Sequence, residues 1–216
     1  MKKDKRSFGK ILMILLVIFF YAPILYMIIF SFNEGKSLTS FTGFSLRWYQ
    51  HMLESRDMMS ALYTTFTVAI LATLISTVVG TIAAIGLSSS KKLVRDVVEQ
   101  VNNFPIMNPD IVTGVSLLIL FLTIHMQKGF LTLLIAHITF NIPYVILSVL
   151  PKLKQMNEHL FEAAQDLGCN SRQAFFKVVL PEIMPGVLSG FLMSFTFSLD
   201  DFIISYYTFF IFNNII

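Results

Sequence analysis

The sequence predicts an all-α, polytopic membrane helix bundle with about five crossings, and three observations carry that reading. Hydrophobic residues fill 55% of the 216 positions and charged ones only 13%, which is more apolar surface than one soluble core of this length buries. Long uncharged runs recur along the chain, each able as a helix to cross a hydrocarbon core of about 30 Å. The basic residues gather in segments that alternate runs place on one side.

Residues 11–32 carry no charge and would reach about 33 Å as a helix, which makes them the first span. Lys2, Lys3, Lys5, Arg6 and Lys10 resemble the basic head of a cleaved signal peptide. The apolar run is too long for one, however, and residues 33–40 offer no good small-residue cleavage site, so the helix is expected to be retained. A second span is expected over residues 61–87, where Gly80 and Gly86 suit close helix contacts. The third is expected over residues 106–125 with Asp110 near its start. The fourth is expected over residues 130–150 with His137, Asn141 and Pro143 inside it, after a tight turn at residues 127–129. A fifth begins near Pro185, carries Gly186 and Gly190 at GxxxG spacing, and meets Asp200 and Asp201 before an apolar tail running to Ile216.

The chain has 16 Lys+Arg, 13 Asp+Glu and a net charge of +3. Position therefore matters more than the total, and nucleic-acid binding is a poor reading. Five basic residues precede the first span, Lys91, Lys92 and Arg95 follow the second, and Lys152, Lys154, Arg172 and Lys177 follow the fourth. The opposite side holds only Lys36, Arg47, Arg56 and Lys128. The positive-inside rule then makes the N-terminus and the loop at residues 151–184 cytoplasmic.

That loop is neither disordered in composition nor apolar enough to insert. Leu160, Phe161, Ala163, Ala164 and Leu167 recur at helical spacing, Gly168 stands where the helix would end, and Glu158, Glu162 and Asp166 line another face. Asn170 lies three residues before Gln173, a capping arrangement, and Ala174, Phe175, Val178 and Val179 form a second stripe ending at Leu180 and Pro181. Periodicity alone leaves two readings open, helices lying on the lipid surface or helices docked on a partner.

Three acids, Asp110, Asp200 and Asp201, fall at or near membrane depth. A carboxylate there costs on the order of 2.5–3.5 kcal/mol at a helix centre and usually faces a cavity or a partner. Acids without bases point to a cationic cargo, unless all three sit hydrated near the outer interface. If Asp200 and Asp201 share one helix they point about 100° apart, which leaves room for one of them to be structural. Trp48 and Tyr49, with Tyr206 and Tyr207, offer cation–π surfaces or simple interfacial anchors. The four histidines lack HExxH or paired spacing, so no metal is expected, and His137 and Asn141, one turn apart, read as interhelical hydrogen-bonding residues. Cys169, the single cysteine, reads as packing. There is no GxxxxGK[ST] sequence and no nucleophile, base and oxyanion set, so neither ATP hydrolysis nor another enzymatic activity, nor any cofactor, is expected of the chain itself.

The run Glu162-Ala163-Ala164-Gln165-Asp166-Leu167-Gly168, followed by Phe175, Val178, Leu180, Pro181 and Pro185, resembles the EAA motif in the permease subunits of ABC importers. The resemblance covers most of the chain. It implies that the motif helix docks into a cleft on a cytoplasmic ATPase dimer through Glu162, Ala163, Ala164, Leu167, Gly168, Phe175, Leu180 and Pro181. It implies as well a second, homologous permease and an extracytoplasmic binding protein in a bacterial inner membrane. Within the family, Asn108-Pro109-Asp110 and Phe197-Ser198-Leu199-Asp200-Asp201-Phe202 resemble the spermidine/putrescine permeases, specifically their second permease subunit. Trp48, Asp110, Ser198, Asp200 and Asp201 then become candidates for a polyamine path. The nearest alternative is the same machine with another cargo, such as an organic cation, iron or a small anion, and a secondary transporter or channel is the rival class, since intramembrane acids fit cation coupling equally well. Members of the family usually have six helices, so five crossings lead to the expectation of a truncated or frame-shifted C-terminus.

Overall fold

The computed structural model describes residues 2–157 and 159–210. Glu158 and the tail at residues 211–216 lie outside the described residues. The chain forms two compact units, Met1–Leu62 and Tyr63–Ile216.

In the first unit, α1 (Lys2–Ser31) runs through Pro23 without ending. The loop after it folds around Asn33, which is 1% exposed. Its side-chain amide donates to the carbonyls of Ser37 and Ser40, both at 2.9 Å, and its oxygen accepts from the Thr42 backbone N–H at 2.8 Å. Backbone bonds from the Glu34 N–H to the Gly43 carbonyl at 2.9 Å and from the Ser45 N–H to the Phe32 carbonyl at 2.7 Å close the loop, and the buried Asn33 side chain satisfies backbone groups inside it. The loop ends in α2 (Arg47–Glu54), a short helix not anticipated from the sequence, and α3 (Arg56–Ser88) follows and continues into the second unit.

The second unit is organised on α6 (Phe130–Gln155) and α9 (Leu180–Asp200). Glycines set their separation. A Cβ on Gly186 would stand 2.8 Å from the Ser148 carbonyl oxygen, and one on Gly190 would stand 3.1 Å from the Val145 Cα. From the other side a Cβ on Gly80 of α3 would meet the Val145 Cβ at 2.7 Å. Three helices therefore meet at Val145, which is fully buried, and a methyl group at any of these glycines would hold backbones apart. Ala84, Leu87, Val149, Leu153 and Ile183 extend this core toward the residue-155 end of α6. Leu117, Phe121, Phe140, Tyr144 and Ile204 form a second cluster.

Among the described residues four helices are long and apolar enough to cross a membrane, or five when one bent pair counts as a span. That pair revises the third crossing. Instead of one helix over residues 106–125, α4 (Lys92–Met107) and α5 (Asp110–Thr123) meet at 105°. Pro109 forces the break, because a residue before proline is driven out of the α region, and Asn108 is extended at φ −81°, ψ 144°. With 14 residues α5 is about 21 Å long, short of a full core.

Prolines elsewhere end nothing. The fourth span, expected to stop at residue 150, continues through Pro151 to Gln155, because Leu153 is buried and Lys152 and Lys154 complement the carbonyl end. The stripe expected to end at Pro181 also runs on. From α8 (Ser171–Ala174) a π-type turn over Phe175–Val179 leads into α9 without a break, giving one apolar helix over Ser171–Asp200. Pro181 occupies the first turn of α9, where its missing N–H is tolerated. The segment between the α6 and α8 helices is accordingly only residues 156–170, including α7 (Leu160–Asp166).

Candidate functional sites at the two ends of the membrane helices

The first site is the α7–α8 hairpin. Gly168 has φ +88°, a conformation that strains any residue with a Cβ. Its N–H donates to the Gln165 carbonyl at 2.8 Å and that of Cys169 to the Ala164 carbonyl at 3.0 Å. These two bonds are the pattern of a Schellman cap, which satisfies the last carbonyls of α7 and reverses the chain. Asn170 then starts α8 with a reciprocal capping box: its side-chain oxygen accepts from the Gln173 N–H at 2.9 Å, and its own N–H donates to the Gln173 side chain at 3.1 Å.

The hairpin sorts the motif residues by face. Ala164 and Ala174 are buried, so their small side chains set the closeness of the two arms. Glu162 and Ala163 are exposed and Leu167 is 87% exposed, a large apolar side chain presented to the surroundings. Phe175 is half-buried, whereas Phe176, which the sequence reading passed over, is exposed and packs edge-to-face against it at 5.1 Å. Leu180 is half-buried and Pro181 exposed. Glu162 has the His159 ring nitrogen 3.4 Å away.

The second site lies at the far end of α9. The adjacent acids do not share a helix: α9 stops at Asp200, Asp201 is extended at ψ 113°, and α10 (Ile203–Ser205) begins after Phe202. Asp200 is exposed, while the Asp201 carboxyl group is 7% exposed. That carboxyl accepts from the N–H of Ile204 at 3.1 Å and of Ser205 at 2.9 Å, the role of an N-cap, and from the Ser205 hydroxyl at 3.1 Å. His137 of α6 reaches the same group. Its Nε2 is 3.6 Å from the carboxylate and 3.1 Å from the Ser205 hydroxyl, and its Nδ1 is 2.7 Å from the Ser198 hydroxyl. His137 and Ser198 are both buried.

The expected interhelical role of His137 is present, but Asn141 differs. Its fully buried amide has no hydrogen-bond partner among the described residues. It sits one turn from both the Val145–Gly190 approach and the His137–Ser198 pair, two contacts between α6 and α9.

Asp110 is exposed in the first turn of α5. One turn on, a Cβ at Gly114 would lie 3.2 Å from the Tyr207 ring and 3.5 Å from the Ile203 side chain, so α5 closely approaches α10 and the π-type turn Tyr206–Phe210. Phe202 and Tyr206 stack with centroids 5.7 Å apart. Trp48 belongs to the first unit, where its indole N–H donates to the Asn33 carbonyl at 2.9 Å and the Arg47 guanidinium lies 5.2 Å over its ring. That face of the indole already holds a cation.

Close glycine contacts between helices long and apolar enough to cross a membrane, with a capped hairpin leading into one of them, mark a multi-pass membrane protein. Residues 76–212 match the family described as binding-protein-dependent transport system inner membrane component, and the chain belongs to that family. It is similar to the putrescine transport system permease protein PotI of Escherichia coli, 38% identical over 213 residues that cover 93% of this chain and 74% of the relative. It is also similar to the spermidine/putrescine transport system permease protein PotC of Haemophilus influenzae, 36% identical over 187 residues, 87% of this chain and 73% of that one. The PotC homolog of Mycoplasma genitalium is 30% identical over 205 residues, 88% and 72% of the respective chains.

Proposed function

We propose that this chain is the membrane-spanning permease subunit of an ATP-driven importer that carries polyamines such as putrescine and spermidine into the cytoplasm. The observation that carries the cargo assignment is the 38% identity to a putrescine permease over nearly the whole chain. Asp110 and Asp200 support it, because both are exposed carboxylates at the ends of apolar helices, the chemistry that attracts a chain of ammonium groups. ATP hydrolysis belongs to a separate cytoplasmic ATPase dimer, a second homologous permease completes the membrane path, and an extracytoplasmic binding protein delivers the cargo.

In this reading residues 1–216 form one permease domain with its N-terminus in the cytoplasm, and residues 151–184 contain its coupling loop. The ATPase is met by Glu162, Ala163, Leu167 and Phe176. Ala164, Gly168, Phe175, Leu180 and Pro181 shape the hairpin that presents them and join it rigidly to α9. The unbroken helix over Ser171–Asp200 then links the ATPase-facing end directly to Asp200, so a push on the hairpin moves the acid-bearing end of the same rod. Ser198 and Trp48 are each kept as a candidate cargo contact, with the polar atoms of Ser198 engaged by His137 and those of Trp48 by Asn33.

Cells lacking the chain are expected to lose uptake of labelled putrescine and spermidine, and to regain it when the chain is supplied together with its partner subunits. Unchanged polyamine uptake in those cells would overturn the cargo assignment. Asp200→Asn and Asp110→Asn should each lower uptake with assembly intact, and wild-type transport in both would remove these acids from the path.

A further inference from the structure

We infer that Asp201 does not contact the cargo but works with His137, Ser198 and Ser205 as a positioning group that ends α9 at Asp200 and keeps the Asp200 carboxylate turned outward. The inference rests on the cargo reading of Asp200 given above. Neighbouring acids at the end of an apolar helix look interchangeable in a sequence, yet here one is exposed and the other has its carboxyl group 7% exposed.

Every strong contact of the Asp201 side chain is internal. It caps two backbone N–H groups of the next helical segment and accepts the Ser205 hydroxyl. The His137 ring approaches from α6, held at its other nitrogen by Ser198 of α9. The ring therefore bridges the last turns of α9 to the start of α10 through α6. If α9 continued helically past Asp200, the N–H groups of Ile204 and Ser205 would bond within the helix, the cap would have no function, and the Asp200 side chain would follow a different local axis. The break is stabilised by an element distant in sequence, since His137 lies 61 residues from Ser198. The two carboxylate oxygens divide the capping, Oδ1 accepting from the Ile204 N–H and Oδ2 from the Ser205 N–H and hydroxyl, so asparagine, with one acceptor oxygen, keeps only part of the cap. A capping residue acts on cargo only through Asp200, whereas a direct cargo contact acts on its own. The two roles therefore separate when Asp201 is changed with Asp200 already altered.

The test uses the assembled transporter in membrane vesicles, with labelled putrescine as cargo. Asp201→Ala and His137→Ala should each raise KM at least fivefold, and the double variant should go no further than the worse single one. Asp201→Asn, which keeps part of the cap, should raise KM less than Asp201→Ala. Asp200→Asn should raise KM as well, and adding Asp201→Ala to it should raise KM by less than twofold more, because the cap acts through residue 200. A further rise of fivefold or more on adding Asp201→Ala to Asp200→Asn would overturn the inference.

A second readout does not depend on cargo. In a Cys169→Ser background, Asp200→Cys should react with a charged, water-soluble thiol reagent. The rate should change at least fivefold on adding Asp201→Ala or His137→Ala, and by less on adding Asp201→Asn. An unchanged rate in all of these, or no reaction in any, would overturn the positioning role even if putrescine is the cargo. The expected rate pattern in a transporter that does not carry putrescine would sustain the positioning of residue 200 and overturn only the polyamine reading.

Discussion

The two chain reversals that matter here, at Gly168 and at Asp201, are built on opposite principles. The Gly168 turn is local. Its two closing bonds and the capping box after it all join residues at most five positions apart, and its one conformational demand, a positive φ, falls on the residue type that meets it without strain. The Asp201 break is a tertiary product. Nothing in Leu199-Asp200-Asp201-Phe202 obliges a helix to stop, and the cap is completed from α6, where His137 reaches the carboxylate while Ser198 holds the other nitrogen of its ring. The bend in the proposed lever is thus encoded locally, while the one beside the proposed path residue is encoded by packing.

The comparison breaks first at His137. His137→Ala would strip a buried carboxylate and two hydroxyls of a partner, a loss of about 2–3 kcal/mol that a thermal melt of the detergent-purified chain should register. No change in melting would make the Asp201 cap as local as the Gly168 turn. Next comes Gly168→Pro, which cannot adopt φ +88° and removes the N–H bonded to Gln165. It should abolish copurification with the ATPase while leaving membrane insertion intact, and retained copurification would count against the coupling role. Gly168→Ala is milder, about 1–2 kcal/mol in the same melt, because there is open space for the methyl group and only the backbone conformation resists it. Asn170→Ala is expected to cost about 1 kcal/mol, with Asn170→Asp close to the parent. A larger effect of Asn170→Ala than of Gly168→Ala would mean that the cap, and not the glycine, fixes the hairpin.

The same division explains what was readable in the sequence. The membrane class, the glycine contacts of α9, the Gly168 turn and the Asn170 box are written in composition or in short spacing. Pro109 was readable as well, since it drives Asn108 out of the helix, but the apolar run around it masked the bend. Pro151 and Pro181 misled in the other direction: a proline ends an isolated helix, yet packed helices carry on through it. At the sites, Glu162 and Gly168 were identifiable by pattern, while the exposure of Phe176 in place of Phe175 depends on the π-type turn, which leaves no plain signal in the sequence. His137 carried a partial signal. An ionisable ring in an apolar span must find partners, but only packing decides that they are Ser198, Ser205 and Asp201.

The central claim, that the exposed face of α7 transmits ATP-driven motion to the membrane helices, is tested most directly by ATP-dependent putrescine uptake in vesicles containing the assembled transporter with Leu167→Glu in this chain. Leu167 is 87% exposed and makes no contribution to the buried core, so the chain should still fold and pair with its partner permease. The expected result is a loss of uptake of at least tenfold together with loss of ATPase copurification. Uptake at the parent rate would contradict it.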